Sequence, residues 1–369
     1  MPKFSIELAK PSDDEDLRRL VADNPIGGDV QIVLWREPSF FHGLRVHGPF
    51  NQVGVVRDTE TGRVVGCGTR SVRSAYLNGT AANLGWLGGL LLESRFRSGT
   101  LLARGYRAFH QLHRDKKALL YVTTIPENER ELRELLTSGR AGLPQYDDWG
   151  RYHTLAIRPG RSKPSLAGGI QVVRGSAARM EEVEGCLNRN GRRRQFYPCY
   201  LSHEFLTDAS HLRDFRIEDF TLAVREGRVV GVAARWDQSR FKQITVAGYR
   251  GKARLVRPLH NAMARLRGFA AMPPPGSELK CCFVGFVAVD DDEPDVFRVI
   301  LREIYNDAVA GGYAYVLAGF HEKDPLLRVA AGYRHFAYQS RLYVVYWEDG
   351  AEYRQSLDDR VPYLELAAM

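Results

Sequence analysis

The chain has 369 residues, of which 44% are hydrophobic, 26% charged and 11% aromatic, values ordinary for a globular protein with a full-sized core. Length alone predicts two domains at about 100–200 residues each, and the composition excludes collagen-like, low-complexity and mainly disordered chains. The net charge of +8 comes from 43 Arg and 9 Lys scattered along the chain, with one short cluster at Arg192–Arg194, so neither nucleic acid nor a membrane is expected as a partner.

The first residues, Met1 to Ser5, soon meet Asp13-Asp14-Glu15-Asp16, which leaves no room for a secretory apolar region. The longest apolar run, Leu84 to Leu92, has nine residues, against the roughly 20 a membrane span needs. Five cysteines (Cys67, Cys186, Cys199, Cys281, Cys282) show no C-x-x-C spacing. Free thiols in a reducing cytoplasm, with no metal site, are the expected state.

In chain order, Val53 to Val56 and the pentapeptide Gly62-Arg63-Val64-Val65-Gly66 predict a hairpin. Leu84 to Leu92 reads as a strand buried on both faces. A basic loop, Arg95 to Thr100, leads into a helix marked by Leu101, Leu102, Tyr106, Phe109 and Leu112. A second buried strand, Ala118 to Thr124, precedes Pro126-Glu127-Asn128 and a polar helix from Glu129 to Thr137. The unit closes with a strand from Tyr152 to Ile157.

The same order then returns. Gly227-Arg228-Val229-Val230-Gly231 repeats the pentapeptide; Cys281 to Val289 is the buried strand, Val296 to Val309 the helix, Tyr313 to Ala318 the next strand and Arg341 to Trp347 the closing one. The chain therefore reads as a duplication: residues 1–158, a Gly/Pro/Ser/Arg-rich linker over 159–169, and residues 170–369. The second copy carries an insert, about 249–277, with a basic helical stretch and Pro273-Pro274-Pro275.

The chemistry is expected where the first buried strand ends. A helix N-terminus presents free N–H donors and a partial positive charge. Gly99 lets a phosphate approach the backbone, and Arg95 and Arg97 add charge, so the loop predicts a pyrophosphate cradle. Phe96 to Leu101 here resembles the motif [QR]-x-x-G-x-[GA] of the GCN5-related N-acetyltransferase superfamily, with Phe96 and Leu101 departing from it. The GRVVG hairpin before it and Asn128 after the next strand fit the same family, and the duplication resembles its tandem members, such as mycothiol synthase and the Fem-type peptidyl transferases.

That resemblance implies an α+β fold of two tandem domains, each a mixed, mostly antiparallel twisted sheet flanked by helices. It implies an acyl-CoA-dependent N-acyltransferase, with acetyl-CoA as donor, in which the amine of a small molecule or peptide attacks the thioester directly. Pantetheine would insert between the fourth and fifth strands. Arg97, Ser98, Gly99, Thr100, Leu101 and Asn128 would hold coenzyme A, and an amide near Leu91 or Leu92 would stabilise the acyl oxygen. Glu93 or Glu127 could serve as base; each has a plain alternative, an ion pair for Glu93 and a first-turn helix acid for Glu127. The Tyr that many members place seven residues after the Asn is Leu135 here, so Tyr146 or Tyr152 would have to supply the acid, unless they only pack.

His42 and His47 flank an aromatic segment that, in the resembled fold, lines the acceptor site; otherwise it is a surface loop anchored by Phe40 and Phe41. Arg192–Arg194 beside Phe196-Tyr197 suits an anionic acceptor, a single-stranded nucleic acid, or a solvated face. In the second copy the loop holds five carboxylates, Asp290 to Asp292, Glu293 and Asp295, and no Gly or Arg is expected to offset them. Like-charge repulsion predicts that this half does not take coenzyme A in the usual way. The readings from other classes are a non-catalytic acyl-CoA- or partner-binding protein and a Fem-type aminoacyl transferase.

Overall fold

The computed structural model describes residues 3–96, 100–140, 142–166, 169–207, 209–267 and 271–369. The first half contains β1 (Phe4–Leu8), α1 (Asp14–Asp23), β2 (Ile26–Gly27), β3 (Val30–Trp35), α2 (Phe40–Leu44), β4 (Phe50–Asp58), β5 (Val64–Leu77), β6 (Thr80–Leu92), α3 (Leu101–His113), β7 (Leu120–Pro126), α4 (Arg130–Leu136) and β8 (Gln145–Ile157). The second contains β9 (Gln171–Arg174), α5 (Met180–Gly191), α6 (Ser202–Leu206), β10 (Phe220–Arg225), β11 (Arg228–Trp236), β12 (Gln243–Tyr249), α7 (Gly251–Arg267), β13 (Glu278–Leu279), β14 (Cys281–Val289), α8 (Pro294–Ala310), β15 (Tyr315–His321), α9 (Leu327–Ala331), β16 (His335–Tyr346) and α10 (Ala351–Gln355).

Twelve strands form one continuous sheet in the order β1-β4-β5-β6-β7-β16-β8-β15-β14-β11-β10-β9. The order is symmetric about the β16–β8 pair, which places each copy of the duplicated unit at one end. The two pentapeptides sit at matching places, since Gly66 faces Leu92 just as Gly231 faces Val289. One expectation fails. Each closing strand was expected to complete its own half, but β16 pairs with β7 and β8 pairs with β15. The two strands are exchanged, and they pair antiparallel with each other from His335–Ile157 to Tyr346–Gln145. Their apolar alternation fits either neighbour, so the pattern alone does not choose between them.

Helices cover both faces. On one, Tyr106 of α3 and Leu136 of α4 join Leu87, Tyr121, Tyr343 and Val345 in a core; on the other, Leu17 and Leu20 of α1 and Phe40 and Leu44 of α2 cover Val53, Val55, Val64 and Cys67. Glycine permits the close approach of α3, because a Cβ at Gly68 would lie 3.1 Å from the Phe109 ring. A second, four-stranded sheet, β13-β12-β3-β2, joins the halves through β12 and β3. It was not read from the sequence, because two of its strands have only two residues.

Candidate functional site

β6 and β7 run parallel and pair only at Gly85–Tyr121 and Trp86–Val122. Past Trp86 the two strands diverge, and β7 keeps β16 on its other edge. This opens a crevice whose β6 wall, Leu87 to Leu91, has no β7 residue opposite it. The nine-residue run that reads as buried on both faces is therefore not so. Leu84 and Leu87 are buried, but Leu90 is 43% exposed because the neighbouring strand has moved away.

β6 is also bulged inside the crevice. Its register on β5 slips between Cys67–Leu91 and Thr69–Gly88, and Gly89 takes the left-handed φ of 57°. The second half repeats this device. β14 and β15 pair only from Cys281–Tyr315 to Phe283–Leu317, the register on β11 slips between Val232 and Ala234, and Phe286, the equivalent of Gly89, also has a φ of 57°.

There the likeness stops, because the second crevice is filled. Every residue of β14 is buried. The segment after α10 lies across it: the Phe286 amide donates to Glu365 Oε2 at 2.7 Å and the Val287 amide to the Tyr363 hydroxyl at 3.2 Å. Glu365 also accepts from Tyr363 Oη at 2.8 Å, and burial raises its pKa. The acidic loop is not bare of cations either. Arg189 binds Asp290, Arg193 binds Asp291, Arg194 binds Asp292 and Arg225 binds Glu293. The expectation that no Arg offsets the loop is thus corrected. The Arg192–Arg194 cluster supplies two of these partners, while Arg192 stacks over Tyr76.

The candidate residues of the first half are placed as follows. Leu91 and Leu92 face Cys67 and Gly66 on β5. Thr100 precedes α3, Leu101 opens it and is buried, and the Thr100 carbonyl accepts from Arg104. Arg97, Ser98 and Gly99 lie outside the described residues. Asn128, just beyond β7, donates to the Gly27 carbonyl at 3.3 Å, so the small sheet touches the end of the crevice wall.

Glu93 is doubly bonded, to Arg19 at 3.0 Å and to Arg95 at 2.8 Å. Arg19 also donates to the Val64 carbonyl. The second half repeats this bridge: Arg189 binds Asp290 and the Val229 carbonyl. A device present in both copies, one of them with a filled crevice, marks Glu93 as a tie between first helix, hairpin and strand end. Glu127 accepts from Arg151 at 2.8 Å. Tyr146 lies in the α3-side core, its hydroxyl in a short bond with that of Tyr106, and burial raises its pKa well above the ordinary value. Tyr152 is buried and donates to the Leu364 carbonyl.

His47 stands out on the α1 and α2 face. It is 6% exposed, its ring lies against Trp86, and neither ring nitrogen has a partner. Burial, with Arg36, Lys242 and Arg73 nearby, pushes its pKa well below the ordinary value, so the ring is neutral. Arg36 itself is pushed down to about 10 by burial. Trp86 folds over Gly88, where a Cβ would lie 2.5 Å from the indole nitrogen. The Trp86 ring thus stands between His47 and the crevice. The cations near His47, Arg36, Arg73 and Lys242, come from three distant segments, which no sequence pattern displays. An open cleft of about 620 Å³, lined by Leu8, Phe41, Leu44, Pro49 and Val53, lies at the β1–β4 end of the sheet, away from this crevice. Among the described residues no group of His, Cys, Asp and Glu is gathered to hold a metal, and no helix is long and apolar enough to cross a membrane.

No family model matches the chain, and no curated protein sequence is significantly similar to it. Solved structures are similar in fold. A GCN5-related N-acetyltransferase from Sphaerobacter thermophilus is matched over 100% of this chain and 99% of its own, with a TM-score of 0.58 and 13% identity. The glucosamine N-acetyltransferase region of a fungal multi-domain GH3 β-N-acetylglucosaminidase matches 92% of this chain and 38% of its own, at 0.60 and 15%. Saccharomyces cerevisiae N-myristoyltransferase, solved with bound myristoyl-CoA, matches 94% and 79%, at 0.60 and 10%. The fold is that of the GCN5-related N-acetyltransferases, in tandem and over the whole chain.

Proposed function

We propose that the protein is an acyl-CoA-dependent N-acyltransferase that moves an acyl group, acetyl by expectation, to the amine of a small molecule or peptide, and that only its first half takes the donor. One observation carries this reading. Two equivalent bulged crevices exist in one chain, and only the second is filled by the chain's own Tyr363 and Glu365. Their side-chain oxygens sit on the bulge amides as a carbonyl-bearing ligand would. The first crevice offers the same bulge with an open apolar wall, a strand edge suited to an extended ligand with amide groups. The matched structures, named as acetyl- and myristoyltransferases, support the donor class.

Bound there, the thioester would supply an activated acyl carbon. The amides of Gly89 and Leu90, equivalents of Phe286 and Val287, would donate to the acyl oxygen as charge develops on it; this moves the donor from Leu91 or Leu92 to the bulge. The first N–H groups of α3, at Thr100 and Leu101, with Arg97, Ser98 and Gly99 before them, would hold the diphosphate. Asn128 would border the pantetheine. Glu93 is assigned to structure, and the proton leaving the amine is assigned to water in the open crevice. The free cysteines suit a cytoplasmic location.

A second reading has support of its own. Glu93, Glu127 and Tyr146 are all engaged by other side chains, as they would be in an acyl-CoA-binding protein that has lost catalysis. Incubation with acetyl-CoA and an amine library separates the two, because the transferase releases thiol and the binder does not. Gly99→Glu, which sets a carboxylate against the diphosphate, should abolish coenzyme A binding and leave the fold intact; unchanged affinity would refute the cradle.

A further inference from the structure

α7 faces the opposite way from an ordinary surface helix. Its inner side is small or polar: Ala264 is buried, Asn261 exchanges hydrogen bonds with the backbone of Met272, and Arg257 lies over the Tyr249 ring. Its outer side is apolar. Leu255 is 80% exposed, Val256 51%, Leu259 64%, Met263 37% and Leu266 86%. At 100° per residue these five fall within an arc of about 100°, a stripe running most of the roughly 25 Å length of the helix. Apolar stripes of this kind on a protein surface mark a docking site.

The charge along α7 has one sign: Lys252 falls in the sector of the stripe, Arg250, Arg254 and Arg257 lie in the other sectors, and no acidic residue occurs between Arg250 and Ser277. We propose that α7 docks on an anionic phospholipid surface, its leucines entering the acyl boundary while its cations meet the headgroups. A second copy of the chain is a poorer occupant, because apposed stripes would bring the same cations together. A protein partner is poorer too, because the stripe has no aromatic anchor of the kind that dominates such interfaces. The Arg250 amide donates to Asp29, in the turn between β2 and β3, and Gly27 of that sheet meets Asn128. Docking would therefore bring the bilayer to the flank where the crevice wall ends. This inference does not rest on the proposed activity.

The test is co-sedimentation of the full chain with vesicles of phosphatidylcholine alone or mixed with phosphatidylglycerol. Binding to the mixed vesicles only, weakened by salt, is expected. Leu255→Glu with Leu259→Glu, both at exposed positions, should reduce it by about tenfold or more without changing the far-ultraviolet circular dichroism. Absence of binding to the anionic vesicles, equal binding to neutral ones, or undiminished binding by the double variant would overturn the proposal. So would sedimentation velocity showing a wild-type dimer that the double variant dissolves, which would assign the stripe to a second copy.

Discussion

Glu365 gives the sharpest test of the filled second crevice. Its carboxylate accepts from the Phe286 amide at 2.7 Å, from Tyr363 Oη at 2.8 Å and from the Ala367 amide at 3.3 Å, all buried. Glu365→Ala leaves the Phe286 amide and the Tyr363 O–H in the core without their acceptor, at about 1–3 kcal/mol for each group, so a total loss of about 2–6 kcal/mol is expected. Glu365→Gln keeps one acceptor oxygen and should cost about 1–2 kcal/mol. The pH dependence has a definite sign. Burial raises the pKa of Glu365 above its ordinary value of 4.5. The stability it contributes is therefore full below pH 4.5 and is lost as pH rises through the folded-state value. The advantage of wild type over Glu365→Gln should be largest in acid and shrink toward neutrality. Urea unfolding curves at several pH values, with coenzyme A stoichiometry by calorimetry, measure both effects. A loss below about 1 kcal/mol for the alanine variant, or a second coenzyme A bound per chain once the carboxylate is gone, would refute the reasoning.

Gly89→Val forces a β-branched residue to a φ of 57° with its Cβ 3.0 Å from Thr69 Cγ2. It should cost about 1–2 kcal/mol and lower thiol release about 100-fold, and a wild-type rate would remove the bulge from the mechanism. Glu93→Gln should lose about 1 kcal/mol from its bonds to Arg19 and Arg95 and keep its kcat. Turnover that collapses while stability holds would restore Glu93 as a base. His47→Gln should leave coenzyme A affinity unchanged and kcat within about twofold of wild type; a kcat lowered about 100-fold would make His47 the base.

Much of the sheet was legible because the pentapeptide repeat places Gly66 and Gly231 at matching points of two hairpins. The helices after each buried strand announced themselves by 3.6-residue spacing. The crossing of β8 and β16 did not, since partner choice between equally apolar strands depends on contacts remote in the chain. Nor did the bulge at Phe286, where a bulky residue takes a conformation that composition suggests only for glycine. The arginines that neutralise Asp290 to Asp292 lie about a hundred positions away, so local charge counting overstated the repulsion. At the site, Glu93, Glu127 and Tyr146 look like chemistry by residue type, and only geometry shows their partners. The basic stretch before Pro273 was visible as a helix, but periodicity gives the width of an apolar face and not its direction, so a membrane partner was not expected.

The exchange of closing strands has a consequence for biogenesis. The wall of the first crevice is sealed along β7 by β16, residues 335–346, so ribosomal synthesis must pass the second half's own strands before that wall can form. Until then the nascent first half carries a bare edge of apolar strand, the surface on which chains misassociate. Capture of the proposed donor by the first half should thus begin only after β16 has been made, and severing the linker gene-wise should leave two fragments that take up coenzyme A only when expressed together.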